Sequence, residues 1–415
     1  MITRITKYYF LFFCLIATLT FAQNTSTYTR YGIGDLFYGY SARTMALSYS
    51  GSAMLNSDYV EIINPASWSA LTRTRIEFSF SYDELKLSSD SESRYYGDGL
   101  FRGFTFAFPV SMENGIAVAL GIVPYSRINY ESVQYVQDDT TGNYIQTYDG
   151  VGGLSRIFLG GTTNLPYDFI LGATLDYYFG NLNYYSSVEF IGSSSFPSEY
   201  QLQFGPTGFG TTVGVITPDF SQLFDSSSVT NLRFGISANW IGDLDTDTTF
   251  VSRSSTIVDS LYFGKTEMVV PLRLNAGVHI TFNNVYNFAL DYFYQKWTDF
   301  KLSGVNELNL NDVNKFSLGF EYRPQYSMSM NFLEQMMWRA GVSYEISQYE
   351  FNGDELHQIS ASGGFSIPIS PENTFDIGVE YAIRGSKEND LLLENFFRID
   401  LGISFGDIWF TRYEK

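Results

Sequence analysis

The chain carries few residues that could do covalent or metal chemistry. Its two histidines are His279, in "RLNAGVHITF", and His357, just after "NGDEL". A histidine base needs a nucleophile or an orienting carboxylate in hydrogen-bond reach, and neither stretch supplies an assignable partner. The single cysteine, Cys14, lies in the apolar run "YYFLFFCLIATLTF" with no small-residue lipobox before it. No disulfide or thiolate chemistry follows for the mature chain. "GDLDTDT" offers Asp243, Asp245 and Asp247, but lacks the glycine and terminal glutamate of a calcium loop and reads as an acidic solvated loop. "GVGGL" at Val151 has no following helix, so it is no nucleotide loop. The expectation is a non-enzyme with no metal and no cofactor.

The ionisable residues instead fall on a period of two. Arg75 and Glu77 alternate with Ile76, Phe78, Phe80 and Tyr82 in "RIEFSFSYD". The same alternation sets Arg233, Ser237 and Asn239, then Arg273, Asn275 and His279, then Asp291 and Gln295 against apolar neighbours. It continues through Glu321, Arg339, Glu345, Asp376, Glu380, Arg398 and Asp400, with Gly or Ser filling many gaps. Period two means strands with two unlike faces. If the polar face is enclosed, its mixed charges form either a salt-bridged filling or the lining of a transport path.

Fourteen strands are expected. Three lie in "RIEFSFSYD", "GFTFAFPV" and "GIAVALGI"; the others lie near 151–163, 169–190, 202–216, 231–241, 270–282, 286–297, 314–323, 337–348, 357–369, 374–385 and 395–405. Short turns at "MENG", "NLPYD", "FNNVY" and "SPEN" alternate with long polar connections at about 89–99, 128–150, 242–269, 298–313 and 349–356. That asymmetry belongs to a transmembrane antiparallel β-barrel, with tight periplasmic turns and longer outer loops. Two expected periplasmic connections, "TPDFSQLFDSSSVT" and "PQYSMSMNFLEQM", are long and suit short helices. Tyr292, Tyr294, Trp297, Trp240, Trp338, Tyr344 and Tyr381 read as outward girdle residues.

Composition agrees. Aromatic residues make up 18% of the chain and hydrophobic residues 45%, with a net charge of −19. The acidity excludes phosphate-backbone binding, so no nucleic acid is expected. Residues 1–22, with Arg4 and Lys7 before the apolar run and small residues at Ala22, read as a secretory signal. No later apolar run approaches the roughly 20 residues of a spanning helix. A soluble β-sandwich would not need fourteen two-faced strands in series, whereas a lipid-facing wall must close on itself.

Residues 23–70 fit no strand template. "GYSARTMALSYSGSAMLNSD" has room for one short helix, which "INPASW" should end, since proline blocks helix continuation. Its apolar residues Met45, Leu47, Met54, Leu55, Ile62 and Ile63 favour the barrel interior, so the division is a plug at 23–70 and a barrel at 71–415. This order, with Asn64, Pro65 and Ala66 just before the first strand, resembles the FadL/TodX-type outer-membrane transporters. "YTRYGIGDL", "INPASW", "GGLSRIFLGG", "YAIRGS" and "FFRIDLGISFGDIWF" look like the Bacteroidetes-type branch of that family. The resemblance implies a monomer in the outer membrane of a Gram-negative bacterium, surrounded by lipid. Its N-terminal hatch would gate passive uptake of small hydrophobic molecules such as fatty acids or hydrocarbons, with Asn64, Pro65 and Ala66 as the hatch turn. It also implies a sideways exit near a kinked strand, for which Pro109 and Pro124 are candidates, although both suit strand ends. The alternative is an accessory barrel of a secretion or assembly complex, with an occluded lumen and an outer-membrane or periplasmic protein partner.

Overall fold

The computed structural model describes residues 26–409 except 91, 138–141, 193–196, 224–227, 255–256, 303–309, 325–329, 352, 371 and 388–390. The expected leader, 1–22, lies outside the described residues. Fourteen antiparallel wall strands form one closed sheet. They are β1 (Thr74–Ser88), β2 (Ser93–Ser111), β3 (Ile116–Pro124 and Ser126–Val136), β4 (Tyr144–Asn164), β5 (Ile170–Phe190) and β6 (Ser198–Ile216). There follow β7 (Val229–Ile241 and Leu244–Ser254), β8 (Ile257–Val269 and Arg273–Phe282), β9 (Tyr286–Gln295, with Lys301–Leu302 as its outer extension) and β10 (Val313–Tyr322). The wall ends with β11 (Met337–Phe351), β12 (Asp354–Pro368), β13 (Thr374–Arg384) and β14 (Leu393–Asp407). The last strand pairs back along the first, with Leu401 opposite Phe80, which removes the open edge a bilayer would not tolerate. Alternation sets the two faces: Phe78, Phe80 and Tyr82 point out and are exposed, while Glu77, Ser79 and Ser81 point in and are buried.

Three expected loops are wall. Most of 89–99, 128–150 and 242–269 is strand, including the aspartate run of β7, where Asp245 lies opposite Glu267. The connection at 349–356 is likewise a tight hairpin between β11 and β12. A hairpin standing clear of the bilayer is wet on both faces, so its strands lose the apolar alternation and read as loop. Trp297 is also corrected. A 3-10 turn at Trp297–Asp299 breaks the alternation, and the indole packs inward, 1% exposed.

The wall is not uniformly paired. β2 and β3 are hydrogen-bonded only below Phe104 and Ile122. Above this point β2 pairs with β1 alone, and β3 with β4 and, at Ser126 and Arg127, with Asp35–Leu36. The split starts where β3 breaks between Pro124 and Ser126, so Pro124 ends one strand segment and marks the divergence, as expected of a residue that removes a ladder donor. The bend is tight because Gly152 and Gly153 on β4 have φ of 137° and 151°, and a Cβ on Gly153 would lie 2.2 Å from the Ser126 carbonyl oxygen. Pro109 instead sits at a register shift beside the turn after β2.

Residues 26–73 fill the lumen. They contain a two-residue strand (Asp35–Leu36), helix α1 (Ala42–Ala46) capped by Ser41, and a 3-10 helix at Pro65–Ala70. The proline therefore opens a helical turn instead of closing one. Asn64 is extended (φ −134°, ψ 108°), its side chain accepts from the Ala66 N–H, and Pro65 occupies the first helical position, where its missing donor costs nothing.

Wall glycines make room for this plug. Gly172 faces Gly214, Gly235 faces Gly277, Gly319 faces Gly341 and Gly364 faces Gly378 in cross-strand register. A Cβ on Gly214 would lie 1.9 Å from the Asn64 side-chain oxygen, one on Gly172 2.3 Å from the Ala66 nitrogen, and one on Gly235 2.2 Å from the Ser52 carbonyl oxygen. Gly214→Val should therefore displace the Asn64 turn while leaving the wall intact. The expected result is a barrel that keeps its heat-dependent shift in gel mobility but is cut by protease within 26–71, where the parent protein resists.

Candidate functional site

The site is the contact between plug and wall. On α1, Arg43 lies between two carboxylates, its Nε 3.2 Å from Glu321 on β10 and its Nη1 3.7 Å from Glu61 of the plug. Glu321 also receives Arg339 at 2.7 Å, and Arg339 reaches Asp376 at 3.4 Å. Tyr59 of the plug donates to Asp376 at 2.9 Å. All these side chains are buried, so the chain Glu61–Arg43–Glu321–Arg339–Asp376 is an alternating-charge bridge from the plug across β10, β11 and β13. Burial pushes the Glu61 carboxyl above its ordinary range, opposed by Arg43 and by the N–H groups of Ile63 and Ile62.

Further ties surround this bridge. Glu77 accepts from the Tyr40 hydroxyl and, at 3.0 Å, from the Val60 N–H. Asp291 accepts from the N–H groups of Gly51 (3.0 Å) and Ser52 (2.8 Å). Asp58 pairs with both Arg75 and Arg323. Asn64 donates to the Ser52 carbonyl at 2.8 Å, stapling two parts of the plug. Tyr38 donates to Glu345 at 2.8 Å, which also holds Lys315 at 3.1 Å. Arg273 donates to the Phe37 carbonyl at 3.0 Å and stacks on Tyr125. At the outer end Asp35 pairs with Arg384 at 2.6 Å and accepts from Tyr349. Burial acts to raise the Asp35 carboxyl, but the Arg384 guanidinium outweighs it and the net direction is downward.

The sequence-derived lumen residues divide by role. Arg75, Glu77, Arg273, Glu321, Arg339, Glu345 and Asp376 contact the plug directly. Glu380, Arg398 and Asp400 mainly bind the wall: Arg398 reaches Glu380 at 2.8 Å and Asp83 at 3.9 Å, and Asp400 lies 3.7 Å from Arg102. His279 stands apart, its Nε2 3.2 Å from the Asn287 side-chain oxygen. His357 faces outward beside Tyr344, 3.0 Å from its hydroxyl. Among the described residues no cluster of histidines and carboxylates is built to hold a metal ion.

Among the described residues, cavities adjoin the core of the plug at three places. One of about 70 Å³ lies beneath the wall split and is lined by charges, among them Asp35, Arg102, Arg127, Glu345, Glu380 and Arg398. One of about 30 Å³ sits against Ile62, Ile63, Arg156 and Arg273. The third, about 420 Å³, is aromatic and lies at the outer ends of β3–β7, walled by Tyr130, Tyr148, Tyr184, Tyr200, Phe204 and Phe250, with Arg30 stacked on Tyr148. Beneath it Ile33, Ile128, Leu154 and Leu182 are packed and buried. Sequence reasoning missed this cavity because Tyr130, Tyr148 and Phe250 lie on stretches read as loops, so its wall could not be assembled. It also missed the glycine belt, whose signal was glycine recurring on lumen-facing positions of successive strands.

A closed barrel of fourteen antiparallel strands defines a class of fold, and solved structures share that fold. The Pseudomonas putida toluene transporter TodX superposes with a TM-score of 0.62 at 14% identity, covering 90% of this chain and 100% of its own. A Pseudomonas aeruginosa FadL homologue gives 0.60 at 10% identity (90% and 99%), and the Ralstonia pickettii toluene transporter TbuX gives 0.60 at 15% (89% and 98%). No curated protein matches. The family model described as BamG matches residues 1–414, and the chain belongs to that family.

Arg43→Met should leave Glu61 buried without its cation and cost about 3–5 kcal/mol, the usual result of removing one partner of a buried pair. Arg43→Met with Glu61→Gln should recover part of that loss. The midpoint of urea unfolding in detergent, followed by gel mobility, checks both.

Proposed function

We propose that this protein is an accessory barrel of the outer membrane, a closed subunit that binds other proteins of a secretion or assembly complex. The observation that carries this reading is the way the lumen is filled. The plug is tied by buried carboxylates and arginines to β1, β9, β10, β11 and β13, and two of the cavities beside its core are small, the one beneath the wall split being ringed by charged side chains. An apolar solute crossing that region would have to displace paired buried charges, each leaving a partner uncompensated at several kcal/mol. A gate worked by diffusion has no such energy source. The BamG family assignment agrees with this reading. "YTRYGIGDL" and the C-terminal "FFRIDLGISFGDIWF" support placing it in the Bacteroidetes-type branch.

A second reading is favoured by one feature, the aromatic cavity. It is large enough for a hydrocarbon or an acyl chain, and the toluene transporters TodX and TbuX share the fold. In this reading small hydrophobic molecules enter the aromatic cavity, the plug acts as a hatch, and the molecules leave through the wall split.

Extraction from native cells in mild detergent, followed by native mass spectrometry, separates the two. The accessory reading expects a stoichiometric protein complex, with Tyr130→Ala/Tyr184→Ala leaving it unchanged. A monomer carrying a defined hydrophobic molecule, lost in that variant, would overturn it in favour of uptake.

A further inference from the structure

The split between β2 and β3 leaves two sheet edges facing each other. Residues 93–103 are paired on one side only, to β1, and residues 130–136 on one side only, to β4, the edge at Asn129 being taken by the Ser26 N–H and the Thr29 hydroxyl. On β1, Tyr82 is the last outward aromatic before Glu84 and Lys86, and it lies opposite Gly99. The split therefore opens at the outer surface of the bilayer, where unpaired backbone groups are a standing template for another strand. Three observations bear on what fills it. The Arg127–Asp98 ion pair spans the two arms and ties them together across the opening. The plug already lays Asp35–Leu36 antiparallel against Arg127 and Ser126 at its base, so the cleft admits an added strand. Above that strand, Tyr95, Val133 and Tyr135 are exposed on the two arms at 64%, 43% and 73%, which gives an incoming chain apolar side-chain contacts as well as hydrogen bonds.

We infer that the split is a strand-docking site: an extended segment of a partner protein adds to the edge at 130–136, above the plug contacts at 126–129, and closes the wall. The inference rests on the accessory reading and names the contact by which that accessory holds its partner. The exposed residues on the arms favour a segment with apolar side chains at alternate positions.

The test uses the full-length protein in its native cells, with a photo-crosslinking residue placed in turn at Tyr95, Val133, Tyr135 and, on the opposite rim, Leu223 and Phe332. Retained gel-mobility shifts show that each variant folds. The expected result is adducts from Val133 and Tyr135 to one partner segment, with the partner residues also two apart. Amide exchange at 95–103 should be fast in the isolated barrel and slow at least about tenfold in the complex. Adducts only from Leu223 or Phe332 would overturn the docking site and leave the accessory reading standing. Lipid adducts at the split and no protein adduct anywhere would overturn both. Protection of 95–103 in the isolated barrel equal to that of the fully paired residues 104–108 would also overturn the docking site, since the edge would not be open.

Discussion

The whole structure depends on backbone lying against backbone. A plug of some fifty residues can occupy a fourteen-stranded lumen only if its chain approaches the wall more closely than side chains allow, and the paired glycines at Gly172/Gly214, Gly235/Gly277 and Gly319/Gly341 provide that room. Everything polar follows from this proximity. Once the plug backbone sits on the wall, its N–H groups need acceptors. Glu77 and Asp291 supply them for Val60, Gly51 and Ser52. Once those carboxylates are buried, they need compensation in turn, and arginine and tyrosine side chains provide much of it.

That compensation shapes function more than stability. Buried ion pairs roughly break even against well-packed apolar groups, yet losing one partner is expensive. A network such as Glu61–Arg43–Glu321–Arg339–Asp376 therefore specifies one seat for the plug and penalises every other. The barrels that share this fold include transporters of toluene. In this chain the region around the plug core is rich in charge, and an aromatic cavity lies at the outer ends of β3–β7, above a packed floor.

Much of this was legible in the sequence. Strand number and the two faces followed from period-two alternation, because a bilayer on one side and an enclosed lumen on the other force that period. What was not legible has one physical origin in each case. The outer halves of β3, β7 and β8 leave the bilayer, lose the lipid-facing constraint and read as loop. Trp297 turned inward because a 3-10 turn shifts parity, which alternation alone does not reveal. Pro65 opened a turn where it was expected to close one, since Asn64 is a good cap and proline suits the first helical position. The pairing of particular charges, such as Asp58 with Arg75 and Arg323, depends on how the plug crosses the lumen, and no local pattern encodes that path.

The tie between Asp35 and Arg384 joins the start of the described chain to its penultimate strand, across 349 positions, and Ser404 of β14 donates to the Asp58 carbonyl at 2.9 Å. The plug is made first, and the strands that complete its surroundings are made last. Closing the final seam between β14 and β1 around a plug already in place seats both ties at once, with the plug as the former. The long-range contacts that slow such a process also act as a check on it, because a chain that closes without its former leaves Glu321, Asp291 and Arg339 facing an empty lumen without their plug partners.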